Sequence, residues 1–189
     1  MADEIRIEPL SRNHDRAAFS SGSPPLDQFL KTQARQAIEK NLAAVFILTS
    51  DGTTILGYYT LSSFVVKLSD IPEMIAKRLT KTGQVPATLI GRLARSINVN
   101  GKGIGEILLT DALKKALNSA ATVASWAVVV DAKDDQAIAF YKRYGFLEFP
   151  NTSNRLFLPT NTIRELFLQN ESPSPDVSQA TPEPPATQL

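Results

Sequence analysis

The sequence predicts a single mixed α/β domain in which helices flank one central sheet. Apolar segments of strand-like composition alternate with segments whose apolar residues recur at helical spacing. Val123–Val130 is apolar without alternation, which indicates a strand buried on both faces beneath helices. The chain has 189 residues and no internal repeat, so it suits one domain with a proper core and is too short for two sizeable ones.

The first half of the chain is predicted to contain three strands and two helices. Leu26–Ile38 has helical periodicity, and Pro24 and Pro25 precede it where the first turn of a helix tolerates proline. Pro72–Leu79 is predicted to form a shorter helix, followed by a turn at Lys81–Gly83. The predicted strands are Ile5–Ile7, Ala43–Thr49 and Ile55–Val66, with a hairpin turn at Asp51-Gly52 between the last two.

The second half of the chain is predicted to alternate between strand and helix. The predicted strands are Thr88–Val99, Val123–Val130 and Arg155–Leu158. The predicted helices are Gly105–Asn118, a helix capped by Asp134 or Asp135 that runs through Arg143, and Thr160–Leu168. Residues 170–189 are rich in proline and contain acids but no base, so we expect a disordered tail after a domain that spans residues 1–169.

Composition excludes several kinds of active site. The chain has no cysteine, which excludes a disulfide scaffold, a thiolate nucleophile and a sulfur-ligated zinc site. His14 is the only histidine, and we expect it to lie on the surface and not to act as a base. With no other histidine, a catalytic triad and a multi-histidine metal site are excluded. No metal site is predicted.

The N-terminal segment carries acids where a signal peptide would carry bases, and no stretch has the roughly 20 apolar residues that a membrane helix needs. We therefore expect a soluble, cytoplasmic protein that does not associate with membranes.

The segment Val99–Gly105 is rich in glycine and lies between a predicted strand and a predicted helix. Glycines at 101, 103 and 105 let the backbone turn tightly and approach a ligand closely. The first N–H groups of the helix have no partner within the helix, and the helix dipole adds a partial positive charge. The segment therefore predicts a phosphate or pyrophosphate site.

Two better-known phosphate loops do not fit this segment. A Walker loop needs two glycines five positions apart followed by Lys and Ser or Thr, and the dinucleotide fingerprint needs G-x-G-x-x-G near an early strand. Here the pattern is G-x-G-x-G about halfway along the chain. A glycine-rich connection that binds no ligand remains the alternative.

The spacing D-x-x-A-x-x-F-Y-x-x-x-G-F, from Asp134 to Phe146, is more specific than the glycine loop. Ala137 is small enough to let a ligand approach the helix, and Tyr141 lies one turn further on the same face. Acetyl transfer from a thioester requires a neutral amine, a polarised oxyanion and a proton for the leaving thiolate. A tyrosine hydroxyl can donate that proton, whereas the simpler alternative is an aromatic packing residue.

Together, the glycine loop and the Asp134–Phe146 block resemble the GNAT superfamily of N-acetyltransferases over residues 4–168. The resemblance implies a central mixed sheet, mostly antiparallel, whose two parallel strands splay apart to hold the pantetheine arm of acetyl-CoA. It implies that Tyr141 is the catalytic acid. Asn100, Gly103 and Gly105 occupy the Q/R-x-x-G-x-G/A positions, with Asn100 replacing the usual Gln or Arg. The implied acetyl-CoA-binding residues are Leu93, Ala94, Arg95, Asn100, Gly101, Lys102, Gly103, Ile104, Gly105, Asp134 and Ala137.

A narrower resemblance is to the GNAT toxins of bacterial toxin–antitoxin modules. It lies in Leu26–Leu30, Gly57–Ser62, Pro86–Ala94 and Val130–Ala132, with Arg95-Ser96 replacing the common Val-Asp. The resemblance implies acetylation of the α-amine of aminoacyl-tRNA, which blocks translation. It also implies a ribbon–helix–helix antitoxin as partner and a homodimer.

A tRNA acceptor predicts a basic face beside the acetyl site. The net charge is only +1, and residues 171–189 hold three acids and no base, so the remainder carries +4. That charge permits an anionic partner without requiring one. The candidate tRNA contacts are Lys77, Arg78, Lys81, Arg92, Arg95, Lys142 and Arg143. The alternatives are acetylation of a small-molecule or protein amine, and a module that binds acetyl-CoA or a partner without efficient turnover.

Overall fold

The computed structural model describes residues 5–79, 83–99, 101 and 103–171. The strands are β1 (Arg6–Pro9), β2 (Ala44–Thr49), β3 (Gly57–Lys67), β4 (Gln84–Arg95), β5 (Ala127–Asp131), β6 (Leu147–Glu148) and β7 (Arg155–Pro159). The helices are α1 (Pro24–Gln28), α2 (Ala34–Glu39), α3 (Glu73–Ala76), α4 (Ile104–Ala120), α5 (Asp135–Arg143) and α6 (Thr160–Glu171). The first two positions of the predicted tail belong to the end of α6, and residues 172–189 lie outside the described residues.

The strands form one seven-stranded mixed sheet in the order β1-β2-β3-β4-β5-β7-β6. Among the described strands β4 and β5 are the parallel pair, and the other neighbouring pairs are antiparallel. The predicted fold class is therefore confirmed, including the mostly antiparallel sheet with two parallel strands at its centre.

The two parallel strands pair over a short distance and then separate. Ala87–Ile90 pairs with Ala127–Val130, but β4 continues to Arg95 while β5 ends at Asp131. On its other edge β4 remains paired with β3 as far as Arg95. The last five residues of β4 therefore have an edge without a strand partner, which opens a cleft in the middle of the sheet.

A β-bulge lies where the two strands separate. The β3–β4 register shifts between Thr60 and Leu61, which leaves Gly91 without a partner residue on β3. An extra residue in one strand exchanges the faces to which the following side chains point. Arg92 and Ala94 consequently lie on the sheet face that carries α1 and α2, whereas Leu93 lies on the opposite face.

Helices cover both faces of the sheet. On one face α4, α5 and α6 pack on a core that includes Tyr59, Ile90, Leu108 and Val130. On the other face α1 and α2 form a second apolar cluster that includes Tyr58, and α3 forms a third near the start of β4. Within the described ranges, no helix combines the length and the apolar composition needed to cross a bilayer.

The predicted bounds of the two central strands were wrong by several residues. The strand predicted at Thr88–Val99 begins at Gln84 and ends at Arg95, because the Ser96 N–H donates to Leu56 O and the chain then forms a 3-10 turn. The strand predicted from Val123 begins at Ala127. Val123 instead closes the end of α4 through a hydrogen bond to Ser119 O, and its side chain is 69% exposed.

The first predicted helix is interrupted. Between α1 and α2, Phe29–Gln33 forms one π-helical turn in which the Ala34 N–H donates to Phe29 O. The prolines lie in the first turn as predicted. Helix α3 occupies only Glu73–Ala76, near the start of the predicted Pro72–Leu79 segment, and the short strand β6 was not predicted.

The expectation that His14 lies on the surface was wrong. Its side chain is fully buried, with Nε2 2.9 Å from Glu8 Oε1. Nδ1 accepts the Ser11 N–H at 3.0 Å, so in the neutral ring Nε2 carries the proton and donates it to Glu8. The histidine joins the loop after β1 to that strand. A lone polar residue in a loop gives no sequence signal for such a contact.

Gly57 allows α4 to pack closely against the sheet. A Cβ atom at this position would lie 2.8 Å from Leu108 Cδ1, 3.0 Å from the backbone oxygen of Ala94 and 3.2 Å from Ile104 Cγ2. We expect Gly57→Ala to destabilise the fold by about 1–3 kcal/mol, because this overpacking forces α4 away from β3. Urea unfolding followed by circular dichroism measures the change.

Gly105→Ala is the matched control, because a Cβ there would make only ordinary contacts at 3.5 Å with the Phe140 ring. The control is expected to be as stable as the wild type or more so, since alanine favours helix over glycine. A Gly57→Ala protein with wild-type stability would show that α4 is not held by this contact.

Candidate active site

A cavity of about 260 Å³ lies where β4 and β5 separate. One wall is the end of β4, the opposite wall is α5, and the start of α4 and the loop before α1 complete the lining. The lining residues are Ser21, Leu26, Leu93, Ala94, Arg95, Ile97, Gly105, Lys133, Asp134, Gln136, Ala137, Phe140 and Tyr141. The structure thus brings together residues from both blocks that the sequence singled out.

The glycine loop leads into α4 with two left-handed residues. Gly101 has φ 75° and Gly103, which caps α4, has φ 64°. A Cβ atom at either position would meet no atom within 4 Å, so the loop leaves open space in front of its backbone. The first N–H groups of α4 point towards the glycine loop and have no hydrogen-bond partner within the helix. Asn100 and Lys102 lie outside the described residues.

The end of β4 presents backbone to the cavity. Leu93, Ala94 and Arg95 line it, and they are paired with β3 on the other edge only. Extended backbone that is not covered by a second strand offers N–H and C=O groups in the alternating pattern that an amide-containing chain can match. The cleft therefore suits a pantetheine arm, which carries two amides, and the open glycine loop suits a pyrophosphate.

Helix α5 begins with a side-chain cap. Asp134 Oδ1 accepts the Ala137 N–H at 2.8 Å, which fixes the first turn of the helix. Ala137 and Tyr141 follow one turn apart on the face that lines the cavity. The Phe140 ring packs close to the start of α4, where a Cβ atom at Gly105 would lie 3.5 Å from it.

Tyr141 is buried, yet its hydroxyl group opens into the cavity. The residue is 6% exposed, and Phe140 and Phe146 pack around its ring with centroids 5.3 and 5.4 Å away. Across the described part of the chain, its Oη makes no hydrogen bond, whereas every fully buried side-chain polar atom has a partner. Burial, assisted by the Asp131 carboxylate, raises the pKa of Tyr141 above its usual range, so the phenol stays protonated at neutral pH.

Comparison with known proteins identifies the family. The Acetyltransferase (GNAT) family matches residues 11–146. The chain belongs to this family. It is an acyltransferase that uses acetyl-CoA as co-substrate, as the sequence analysis predicted.

The relatives of this GNAT acetyltransferase include toxins. It is 35% identical over 170 residues to a probable toxin TacT of Sinorhizobium fredii, covering 85% of this chain and 94% of the relative. It is 31% identical over 158 residues to a tRNA-acetylating toxin of Mycobacterium tuberculosis, covering 84% and 93%.

Among solved structures, AtaT complexed with acetyl-methionyl-tRNAfMet matches with a TM-score of 0.81 and 27% identity, covering 87% of this chain and 99% of AtaT. An AtaT mutant bound to the C-terminus of the antitoxin AtaR and acetyl-CoA matches with a TM-score of 0.75 and 27% identity, covering 88% and 100%.

The basic residues predicted to contact tRNA are distributed unevenly in this GNAT acetyltransferase. Arg95 lines the cavity, and the Arg92 guanidinium lies 3.7 Å from the centre of the Phe29 ring. Lys142 forms an ion pair with Glu148 at 2.8 Å, and Arg143 lies over the Phe140 and Tyr144 rings.

Lys77 and Arg78 do not lie beside the cavity. They follow α3, which packs at the start of β4, whereas the cavity is at its end. Val85 and Arg95 are ten residue steps apart along β4, which corresponds to about 33 Å. Only an extended substrate could contact both ends of the sheet. Lys81 lies outside the described residues.

Several lining residues were missed by the sequence analysis. Lys133, Gln136 and Phe140 flank residues that were singled out, and the α5 cap together with helical spacing could have found them. Ser21 and Ile97 had no such signal. The Ile97 N–H donates to Ser20 O at 2.9 Å, and this contact between distant segments places both residues at the cavity.

The free Tyr141 hydroxyl leads to a stability prediction. Tyr141→Phe should leave the free energy of unfolding at neutral pH within about 0.5 kcal/mol of the wild type or slightly raise it, because the hydroxyl has no protein partner to lose. Urea unfolding at neutral pH tests this expectation. A loss of more than about 1 kcal/mol would show that the hydroxyl supports the fold.

The same variant should differ from the wild type at alkaline pH. Since the pKa of Tyr141 is raised in the folded state, the unfolded chain loses this proton first, at about pH 10. Its contribution to stability is therefore present below about pH 10 and is lost as the pH rises further. Wild type should lose more stability than Tyr141→Phe between about pH 9 and pH 11. Tyr58 and Tyr59 also have raised pKa values, but they are present in both proteins and so do not contribute to the difference between them.

Proposed function

We propose that this enzyme transfers acetyl from acetyl-CoA to the α-amine of aminoacyl-tRNA and so acts as a toxin that blocks translation. The observation that carries the chemistry is the buried, protonated Tyr141 hydroxyl, which opens without a partner into the cavity between β4 and β5. The acceptor is supported by the likeness to tRNA-acetylating toxins, which spans most of the chain.

The proposed acetyl-CoA site combines the end of β4, the glycine loop and the start of α5. Backbone amides of Gly101–Gly105 hold the pyrophosphate, with Asn100 at the start of the loop and Lys102 and Ile104 within it. Leu93, Ala94 and Arg95 bind pantetheine and the acetyl group through their main chain. Asp134 and Ala137 provide the opposite wall, where a larger side chain at Ala137 would narrow the cleft.

In the proposed reaction the neutral α-amine attacks the thioester carbonyl carbon. The carbonyl oxygen gains negative charge, which β4 backbone N–H groups stabilise. The intermediate collapses by breaking the C–S bond, and the CoA thiolate takes the proton of Tyr141 Oη as it leaves. The nitrogen gives its surplus proton to water, and the phenolate regains one from solvent. No side-chain base is required, because the α-amine of an aminoacyl ester is only weakly basic.

The charges around the cavity favour an acceptor of this kind over a polyamine. Asp134 is the one carboxylate among its described lining residues, and it is engaged in capping α5. Arg95 and Lys133 also line the cavity, and Lys133 forms an ion pair with Asp134 at 3.6 Å, so these three side chains together carry one net positive charge. A polycationic amine would meet like charges there, whereas the acceptor end of a tRNA carries phosphates that basic residues attract. Arg92, Lys142 and Arg143 extend this basic surface, and Lys77 and Arg78 are proposed to contact a more distant part of the tRNA.

The proposed partners follow the same likeness. A ribbon–helix–helix antitoxin that binds this chain, a homodimeric state and action in the cytoplasm, where charged tRNA is found, all belong to the proposal.

The acceptor can be tested directly. With radiolabelled acetyl-CoA, we expect label to enter charged tRNA and not deacylated tRNA, because only the former carries the α-amine. We expect kcat/KM to fall steeply as salt rises, since phosphate contacts release counterions. Polyamines and a lysine-containing peptide serve as competing acceptors. Label that enters these but never charged tRNA, at any salt concentration, would overturn the proposed acceptor.

The catalytic role of Tyr141 has its own test. Tyr141→Phe is expected to lower kcat by about 10²–10⁴-fold, the contribution of a general acid, with little change in KM for acetyl-CoA. Wild-type kcat/KM should rise with pH as the amine loses its proton, without a descending limb below about pH 10, because the pKa of Tyr141 is raised.

Tyr144→Phe is the matched control, because Tyr144 lies in the next turn beside Phe140 and does not line the cavity. It should retain wild-type turnover. If Tyr141→Phe also retained full turnover, Tyr141 would have no part in the mechanism.

A further inference from the structure

A second cavity lies beside the first on the sheet face that carries α1 and α2. It has a volume of about 320 Å³ and lies between α2 and strands β3 and β4. We call it the polar groove, and its lining includes Phe29, Gln33, Gln36, Thr60, Gly91 and Arg92. None of these residues has a role in the acetyl-transfer chemistry described above.

Two backbone irregularities face each other across the polar groove. The π-helical turn begins at Phe29 and ends at Gln33, and the bulge in β4 is at Gly91. The Arg92 guanidinium, next to the bulge, stacks on the ring of Phe29 at 3.7 Å and so connects the two. Single π turns and β-bulges cost backbone hydrogen bonding and are frequent at functional sites, where they redirect side chains.

The groove also contains a buried hydroxyl without a protein partner. Thr60 is 2% exposed, and its Oγ1 makes no hydrogen bond within the part of the chain that the structure describes. Since no fully enclosed side-chain polar atom is left without a partner, Oγ1 must open into the groove that Thr60 lines. A ligand that displaces water from the groove must supply a hydrogen-bond partner for this hydroxyl, because desolvating it without pairing is unfavourable.

The charge in the polar groove selects the chemistry of that ligand. No lining residue is acidic, and Arg92 forms no ion pair among the described residues. The groove therefore offers one guanidinium, the amides of Gln33 and Gln36, and the Thr60 hydroxyl. These groups together complement an anion with several oxygen acceptors, such as a phosphodiester.

The polar groove and the acetyl cavity share no lining residue, but they are neighbours along β4. Ala94 follows Arg92 on the same face of β4, about 7 Å further along the strand. Leu26 lies one helical turn before Phe29, and both Ala94 and Leu26 line the acetyl cavity. A ligand that extends from the groove past Phe29 therefore reaches the position where the acetyl group is proposed to lie.

We propose that the polar groove binds the phosphodiester between the last two nucleotides of the aminoacyl-tRNA acceptor end, with Arg92 on the phosphate and the Thr60 hydroxyl as an additional donor. In a charged tRNA this phosphate is separated from the aminoacyl ester by a single ribose, which matches the short distance from Arg92 to Ala94. The inference rests on the proposed tRNA acceptor, and it assigns the contact that positions the amine.

Two small acceptors isolate this contact. The aminoacyl ester of adenosine has no phosphate, whereas the same ester of the dinucleotide cytidylyl-adenosine has one, at the position in question. Wild type is expected to show kcat/KM about tenfold higher for the dinucleotide ester, as expected for a partly exposed charged hydrogen bond. If wild type acetylates the two esters equally well, the groove does not bind this phosphate.

Arg92→Gln is expected to lower kcat/KM for the dinucleotide ester to the value for the adenosine ester, and so to abolish the preference for the dinucleotide ester. Arg164→Gln, on α6 at a different cavity, is the matched control and should keep the preference. Equal losses with both esters would show that Arg92 only supports the fold. A change in preference among aminoacyl side chains instead would show that the groove binds the amino acid. Each of these results would overturn the proposal.

Thr60→Val provides a second, independent variant. Because the hydroxyl has no protein partner, this variant should have a melting temperature equal to or above that of wild type. It should nevertheless lose several-fold of the dinucleotide preference. A lower melting temperature, or an unchanged preference, would contradict the proposed role. If wild type acetylated neither ester and no charged tRNA, the proposed function itself would fail, and the groove assignment would fall with it.

Discussion

The short parallel pairing between β4 and β5 is the constraint on which the site depends. The two strands share only Ala87–Ile90 and Ala127–Val130, and β3 then holds β4 in an extended form as far as Arg95. Because β5 ends at Asp131 and leads directly to the cap of α5, that helix lies across the opening. A cavity with backbone on one wall and a tyrosine on the other follows from these two strand lengths and from the position of α5.

Two hydroxyl groups in largely buried residues make no hydrogen bond to the rest of the described chain. Tyr141 and Thr60 are both more than nine-tenths buried, and neither hydroxyl has a partner in the described chain. Other enclosed hydroxyls are paired, as in the bond from Tyr59 to Asp111 and that from Tyr58 to Leu26 O. The unpaired ones each face a cavity, which is the arrangement expected when a ligand and not the protein completes the hydrogen bond.

The parts of the site that sequence patterns could predict are those made by one continuous segment. The glycine loop, the Asp134 cap and Tyr141 each depend on neighbours within about one helical turn, and they lie where the spacing placed them. The end of β4 could not be predicted, because the apolar pattern continues to Val99 while the strand ends at Arg95 through a contact with Leu56. The bulge at Gly91, the π turn and the burial of His14 likewise arise from residues distant in sequence.

The relative position of the two halves of the active site depends on a residue that does not line the cavity. Gly57 lies opposite Arg95 in the β3–β4 register, and its missing side chain admits Ile104 and Leu108 of α4. Gly57, which pairs with the end of β4, therefore also sets how closely the start of α4 approaches the sheet. Since Gly103 caps that helix, the spacing between the glycine loop and the end of β4 is determined by the packing at Gly57. Core packing, which is rigid at the scale of a single methyl group, thus fixes the geometry of a cleft whose walls are the end of β4, the start of α4 and α5.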